Sequence, residues 1–406
     1  MDPVVDDLKA HLKTLRTCSA TRLDLFNRHE LSLEADDRIP VNFLNGLKDF
    51  EKLVCWRAIL LCYAVTKGQQ TPREMQLRAV LADFHGLDSL ISAGTGSGKT
   101  LPTALKILLD NPADHLITIT LSPLKRLQIM QQNDFNSRYG ICTVVINEDT
   151  PHHEAWWDVS QFRIFLIHGR NSCQKHVFNS KTRMPGLARH LIVTVEQLFK
   201  SREGHLPRLG ILLRNSHFQR RVICIIVDEA HNIHFSGLSH YGLDAFRPAW
   251  GQLDEIKAIL LQKTRWCACS ATFTPLALRT VENKVLRSNY VYIYVTSNRV
   301  NTIYAAHQVV NSIDDLRNYP CFLMSPFHPT VQPRVLIFVD NKKLAARIAS
   351  HLDSCLPPTI QNKGVVVHYH SKMSEKYLQN AHDSFIGEDG VCQIMVATSA
   401  QSVVRF

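Results

Sequence analysis

Hydrophobic positions change their spacing twice along the 406 residues, and those changes divide the chain. Up to about residue 66, apolar side chains recur at helical intervals, at Leu8, Leu12 and Leu15 and again at Phe43, Leu47, Phe50 and Leu53, with turn chemistry at 36–40. From residue 88 the pattern shortens to β-branched and apolar runs at 89–92, 115–121, 142–146, 164–167, 191–195, 222–227, 266–269 and 291–295. Runs this short, apolar on both faces and alternating with helical segments, belong in a parallel sheet covered on both sides. A stretch carrying Pro320, Pro326, Pro329 and Pro333 precedes a second series, with strands at 335–339, 364–367 and 393–397 and helices at 342–352 and 375–385. The expectation is an α/β protein with a helical extension at 1–66, a doubly wound parallel-sheet domain at 67–300 and a second, incomplete one at 301–406. Neither a solenoid-length repeat nor a low-complexity tract interrupts this pattern.

Charge narrows the partners. Lys and Arg number 46 against 36 Asp and Glu, a formal +10, which favours a polyanion because bound cations release phosphate counterions. The eleven cysteines include no Cys-x-x-Cys pair, and several sit in apolar runs such as 222–226 as small buried hydrophobes, which fits a reduced, intracellular setting. The first seven residues carry neither a basic nor an apolar signal region, and no apolar stretch approaches the roughly 20 residues that span a bilayer. A protein with no membrane partner is expected, with nuclear residence compatible with its charge.

The chemistry is concentrated in two places. Ala93-Gly-Thr-Gly-Ser-Gly-Lys-Thr100 follows one apolar run and precedes a helical one at 101–109. Glycines there let backbone N–H groups converge on phosphates at a helix N-terminus, so Gly94, Thr95, Gly96, Ser97, Gly98, Lys99 and Thr100 form a candidate ATP site. Lys99 would neutralise the β and γ charges, and the Thr100 hydroxyl would reach Mg²⁺. The second place is the apolar run 222–227 ending in Asp228-Glu-Ala-His231. Its first carboxylate suits Mg²⁺ and its second suits orienting or deprotonating an attacking water. His152 with His153, and His368 with His370, lack the further ligands a zinc site needs.

With those motifs in place the chain resembles a superfamily-two helicase, and within it RecQ more than the DEAD-box or DEAH-box RNA helicases. Pro72-Arg-Glu-Met-Gln76 is similar to the element in which glutamine reads the adenine edge, which implies base contacts for Arg73 and Gln76. Ser122-Pro-Leu124, followed by Gln131, and Thr194-Val-Glu-Gln-Leu198 resemble strand-end motifs that touch the DNA backbone, implying that role for Ser122, Pro123, Thr194 and Glu196. Ser270-Ala-Thr272 matches the coupling motif, so that Ser270, Ala271 and Thr272, with His231, would relay nucleotide state. Residues 297–301 resemble the link to the second domain. Phe246-Arg-Pro248 discriminates most, because it closes the RecQ aromatic loop; Phe235, Tyr241 and Phe246 would stack on bases and Arg247 would lie beside them. That loop, 232–246, is longer than the family's and lacks its tryptophan.

In the second domain 335–339, 370–374 and 396–400 resemble the next family elements, after which 401–406 departs from the pattern and no arginine-finger element follows. The resemblance therefore implies two RecA-like domains, the second cut short, using ATP and Mg²⁺. It implies a monomeric motor stepping 3′ to 5′ on single-stranded or forked DNA and unwinding duplex in repair or recombination, with RNA open as the strand. The other expectation is a truncated, catalytically weak ATP- and nucleic-acid-binding module, because a missing arginine finger removes roughly 10³ to 10⁵ in rate.

Overall fold

In the computed structural model, residues 3–25, 38–151, 188–201, 203–296, 303 and 305–398 are described. The strand expected at 164–167, the pair His152 and His153, the link at 297–301 and the segment 401–406 lie outside the described residues. The chain divides into two compact units, Met1–Arg299 and Val300–Phe406.

Among the described residues the first unit is built on seven parallel strands: β1 (Ser89–Ser92), β2 (Ile117–Leu121), β3 (Thr143–Ile146), β4 (His190–Val193), β5 (Val222–Val227), β6 (Arg265–Ser270) and β7 (Val291–Tyr294). Their order across the sheet is β3-β4-β2-β5-β6-β1-β7. Strands β1, β2, β4 and β5 are buried along their whole length, as central parallel strands covered on both faces require, and in β5 this gives an unbroken apolar run. Strand limits moved where backbone chemistry overrides hydrophobicity. The run at 115–121 loses its start because His115 sits in the left-handed region (φ 52°), and that at 191–195 stops early because Val195 opens a 3₁₀ turn, Val195–Leu198.

Helices α1 (Pro3–Thr17), α2 (Ala20–Leu25), α3 (Val41–Asn45), α4 (Asp49–Thr66), α5 (Glu74–Phe84), α6 (Leu101–Leu109), α7 (Lys125–Ser137), α8 (Leu253–Ile259) and α9 (Pro275–Lys284) surround the sheet, with further short helices of four to six residues, at Arg208–Leu213, Ser216–Gln219 and Asn232–Phe235, between α7 and α8. On one face Trp250, Leu253, Ile256 and Val281 pack on Leu121, Ile225 and Trp266. In another apolar cluster Leu15, Leu44, Ile59, Leu60 and Leu61 from the N-terminal helices join Leu77 of α5 and Leu105 of α6. The described residues before 66 thus form an outer helical layer on α6, whose N-cap is Thr100. Arg16 Nε donates to the Leu108 carbonyl at 2.6 Å, placing a cation at the C-terminal end of α6, where the helix dipole favours one. Phe50, on the apolar stripe of the sequence, is instead about half exposed and tilts against Phe84.

The second unit carries a three-stranded parallel sheet ordered β8-β10-β9, formed by β8 (Val335–Phe338), β9 (Val366–Tyr369) and β10 (Ile394–Ala397). Two amphipathic helices, α10 (Lys342–Ser354) and α11 (Glu375–Ile386), bury Leu344, Ile348, Leu352 and Phe385. Both begin on the caps their sequences supply: Asn341 accepts from Lys343 and Leu344 N–H, and Ser374 accepts from Tyr377 N–H. Of the ten described cysteines, only Cys321 and Cys355 are exposed. No described helix is long and apolar enough to cross a membrane.

Candidate nucleotide site and nucleic-acid face

Parallel strands share a direction, so everything that follows their C-terminal ends lies along one edge of the sheet, the edge at which open α/β sheets bind ligands. Backbone hydrogen bonds continue past the strands and fix the order of those ends. Ala93 N–H donates to the Ser270 carbonyl, Ala230 to Cys269, Asp228 to Leu121, Ser122 to Val193 and Thr194 to Ile146, all at 2.9–3.2 Å. From β1 outward the edge therefore presents the glycine loop, Ser270-Ala-Thr272, Asp228-Glu-Ala-His231, Ser122-Pro-Leu124 and Thr194-Val-Glu196.

The glycine loop wraps back on its own carbonyls. Lys99 Nζ donates to the carbonyls of Ala93 at 2.8 Å and Gly94 at 3.0 Å, neutral acceptors that an anion would outcompete. The Gln76 side chain braces the loop: its Nε2 donates to the carbonyls of Ser97 (3.4 Å) and Gly98 (3.2 Å), while its Oε1 accepts from Arg73 N–H (2.6 Å). Gly98 has φ +83°, and a Cβ there would stand 2.5 Å from Gln76 Nε2, so a side chain would be strained by the backbone and would push the Gln76 amide off the loop. Gly98→Ala is expected to weaken nucleotide affinity about fivefold or more, since such strain costs about 1–3 kcal/mol. A fluorescent-nucleotide titration checks this, and wild-type affinity would rule out a role for the close approach. The Ser97 hydroxyl is buried without a partner, and Thr100 ends the loop as the first residue before α6.

Asp228 and Glu229 follow β5. Asp228 Oδ1 accepts from Glu229 N–H and Oδ2 from Gln131 Nε2, each at 3.0 Å. Burial and the neighbouring Glu229 raise the Asp228 carboxyl above the ordinary range, against the pull of Gln131 and Lys99. Glu229, held at φ 50°, is also pushed up by burial, but its contact with His231 and the charge of Lys99 outweigh this and leave it lowered. His231 Nδ1 lies 3.3 Å from Glu229 Oε2 and 2.7 Å from Ser270 Oγ, and that hydroxyl also accepts from Thr272 N–H at 3.1 Å. Lys99, both carboxylates, His231 and the Ser270-to-Thr272 segment are thus one connected constellation. Its donor set fits a nucleotide phosphate with a divalent cation: a cationic loop at a helix start, an unpartnered Ser97 hydroxyl and an ionisable carboxylate pair.

Farther along the edge, Ser122 and Thr194 are buried with unpartnered hydroxyls. Arg247 clasps Glu196 with two hydrogen bonds (2.8 and 2.7 Å) and donates to the Pro123 carbonyl at 2.8 Å, joining three separate sequence motifs. The loop before it closes on itself: Arg247 N–H donates to the Ser236 carbonyl, and His240 pairs with Leu243 around a turn with Tyr241 (φ 53°) and Gly242 (φ 78°) at its tip. This turn leaves Tyr241 fully exposed and Phe246 84% exposed, with Phe235 half exposed, so two of the three rings stand outside the core. Gln131 was the residue whose contact sequence reasoning missed. The available signal was a glutamine on the inward face of α7, at helical spacing with Leu127 and Phe135.

A model of the DEAD/DEAH box helicase family matches residues 73–280, and the chain belongs to that family. The chain is 28% identical over 233 residues to "ATP-dependent DNA helicase hus2/rqh1" of Schizosaccharomyces pombe, covering 57% of this chain and 15% of that protein. It is 30% identical over 149 residues to "Probable ATP-dependent RNA helicase DDX52" of Bos taurus, covering 36% and 22%. The match thus spans under a quarter of each relative's length. Among solved structures it is similar to the DUF1998 helicase MrfA bound to DNA and AMPPNP, at a TM-score of 0.57 and 15% identity over 86% of this chain and 44% of that one. It is also similar to Saccharomyces cerevisiae Dbp5 bound to RNA and ADP BeF3, at 0.52 and 17% over 90% and 77%. The α/β architecture, with one larger and one smaller parallel sheet, is that of RecA-like helicase domains. Residues 73–280, the stretch that matches, run from Arg73 through the glycine loop and Asp228 to α9.

Proposed function

We propose that the chain is the ATP-driven part of a RecQ-type DNA helicase, stepping 3′ to 5′ along one strand and separating duplex in repair or recombination. The observation that carries this reading is the Arg247 clasp, which seats an exposed aromatic loop against the two strand ends beside the nucleotide constellation. Lys99 and the glycine-loop amides bind phosphates, Arg73 and Gln76 face the base, and Thr100 with Asp228 would hold Mg²⁺, which when bound supplies charge neutralisation between the phosphates. Glu229 takes the proton of the attacking water, and His231 orients Glu229 while sensing Ser270 and Thr272. Phe235, Tyr241 and Phe246 supply stacking surfaces for bases.

Hydrolysis measured with single-stranded DNA, single-stranded RNA and no strand tests the proposal, alongside unwinding of duplexes tailed at the 3′ or the 5′ end. DNA stimulation of tenfold or more, with only 3′-tailed substrates opened, is expected. Stimulation by RNA alone would transfer the same machinery to RNA, and ATP binding without stimulated turnover would remove the motor.

A further inference from the structure

Four elements, α5, α6, β5 and β6, bring charged and nucleophilic side chains together in the interior of the first unit. Lys106 of α6 is buried with its Nζ 3.8 Å from Asp83 Oδ1, and Arg265 Nε lies 2.8 Å from the same oxygen, so one carboxylate meets two cations. The Lys106 ammonium also faces three buried thiols, Cys267 and Cys269 of β6 and Cys224 of β5. A cation beside a thiol favours the thiolate, which is the reactive form. Cys267 and Cys269 stand two residues apart on one strand, so both side chains leave the same face, and their sulfurs are 3.7 Å apart. The hydrogen bond with Cys269, then the charge of Lys106 and the Ser89 hydroxyl, lower the Cys267 thiol against the cost of burial, while the same contact raises Cys269. Cys224 is the unpaired member: its register partner on β6 is Arg265. One strand spacing sideways and two residues along separate its Cα from that of Cys267 by about 8 Å, beyond the reach of a disulfide.

We propose that Cys267 and Cys269 form an oxidation site that takes a hydroperoxide and closes to a disulfide. The Cys267 sulfur attacks one peroxide oxygen, the O–O bond breaks, and the other oxygen leaves with the electron pair, so that Cys267 becomes a sulfenic acid. The Cys269 sulfur then displaces hydroxide from Cys267, and the Cys269 proton departs with that hydroxide as water. With hydrogen peroxide the dithiol gives up two electrons and two protons, and the peroxide becomes two waters. Alternate Cα atoms of an extended strand are about 6.4–6.8 Å apart, the upper limit for a disulfide, so closure shortens β6 immediately before Ser270. There the Cys269 carbonyl accepts from Ala230 N–H, the Ser270 carbonyl from Ala93 N–H, and the Ser270 hydroxyl meets His231. Oxidation therefore disturbs the segment that joins the glycine loop to the carboxylate pair. This consequence, unlike the sulfur chemistry, rests on the motor reading.

The test uses the full chain with Cys321→Ser and Cys355→Ser, which remove the two exposed described thiols, and Cys173→Ser, at a position outside the described residues. It is treated with hydrogen peroxide, unfolded, alkylated and read by mass spectrometry. Trypsin leaves both sulfurs in one peptide, 266–279. That peptide is expected to lose two hydrogens and to resist alkylation until dithiothreitol is added. It should react roughly ten times faster than Cys224, which is as deeply buried and lacks a neighbour within bridging range. Cys269→Ser should stop at the sulfenic acid, which dimedone traps, and Cys267→Ser should leave the peptide unoxidised. The oxidised chain should lose most of its strand-stimulated hydrolysis and regain it with dithiothreitol, while Cys267→Ser keeps its rate under the same peroxide. A peptide that forms no ring, or that reacts no faster than Cys224, would overturn the oxidation site. A ring that leaves hydrolysis untouched would overturn its link to Ser270. Absence of hydrolysis before any peroxide is added would remove the motor reading, and the mass of the peptide would still decide the sulfur chemistry.

Discussion

Glu229→Gln is expected to lower strand-stimulated ATP hydrolysis by roughly 10² to 10⁴, the usual contribution of a general base, while nucleotide binding stays near that of the wild type. The substitution keeps size and removes only the capacity to accept a proton. Glu229 can do this work at neutral pH because its carboxyl is lowered despite burial, by His231 and Lys99, and so stays ionised. Asp228 beside it is raised instead, which suits a group whose charge is completed by a cation. Lys99→Ala should behave differently. Removing the ammonium that now sits on the Ala93 and Gly94 carbonyls deletes charge-assisted hydrogen bonds worth about 1.5–3 kcal/mol, a loss of affinity of roughly ten to a hundredfold. Fluorescent-nucleotide titration and phosphate-release rates on the same preparations separate the two effects. Turnover that is indifferent to both substitutions would remove the constellation from the chemistry.

What the sequence made legible was local. The glycine loop, the carboxylate pair and the caps of α10 and α11 are contiguous segments whose chemistry is set by neighbours a few residues away, and the limits of β1 and β5 follow from apolar runs bounded by polar residues. What it hid was created by sheet order. Glu196 and Arg247 are 51 residues apart, and Gln131 and Asp228 are 97 apart; each pair meets only because particular strand ends lie side by side. The N-terminal helices show the same limit. Their apolar stripe announced helices, but that they cover α6 depends on Leu15 and Arg16 meeting a partner nearly a hundred residues later. Phe50 sits on the same stripe and is half exposed, since periodicity identifies a face and not what covers it.

Asp88 shows how much stability such a hidden contact can hold, and Asp88→Ala is expected to destabilise the first unit by about 3–5 kcal/mol, the cost of breaking a buried ion pair. In sequence it is an unremarkable polar residue before a strand. In the fold it is fully buried, with four hydrogen bonds directed at its two carboxylate oxygens: Oδ1 accepts from Trp266 N–H at 2.8 Å and Arg287 Nη2 at 2.6 Å, and Oδ2 from Arg287 N–H at 2.8 Å and Nε at 3.0 Å. It thereby ties the start of β1 to β6 and to the turn before β7. Asp254→Asn, which loses a pair with Lys284 in which the carboxylate is half exposed, should cost no more than about 1 kcal/mol and serves as the control. Asp88 lies at the opposite end of β1 from the glycine loop, so its loss should leave the binding geometry intact. Nucleotide at a hundred times its dissociation constant should then return about 2.7 kcal/mol through preferential binding to the folded state. Denaturant unfolding with and without nucleotide measures both quantities. Equal stability of Asp88→Ala and Asp254→Asn would mean that the buried carboxylate holds nothing together, and a destabilised variant that nucleotide cannot rescue would mean that the strand carrying the loop had lost its shape as well as its anchor.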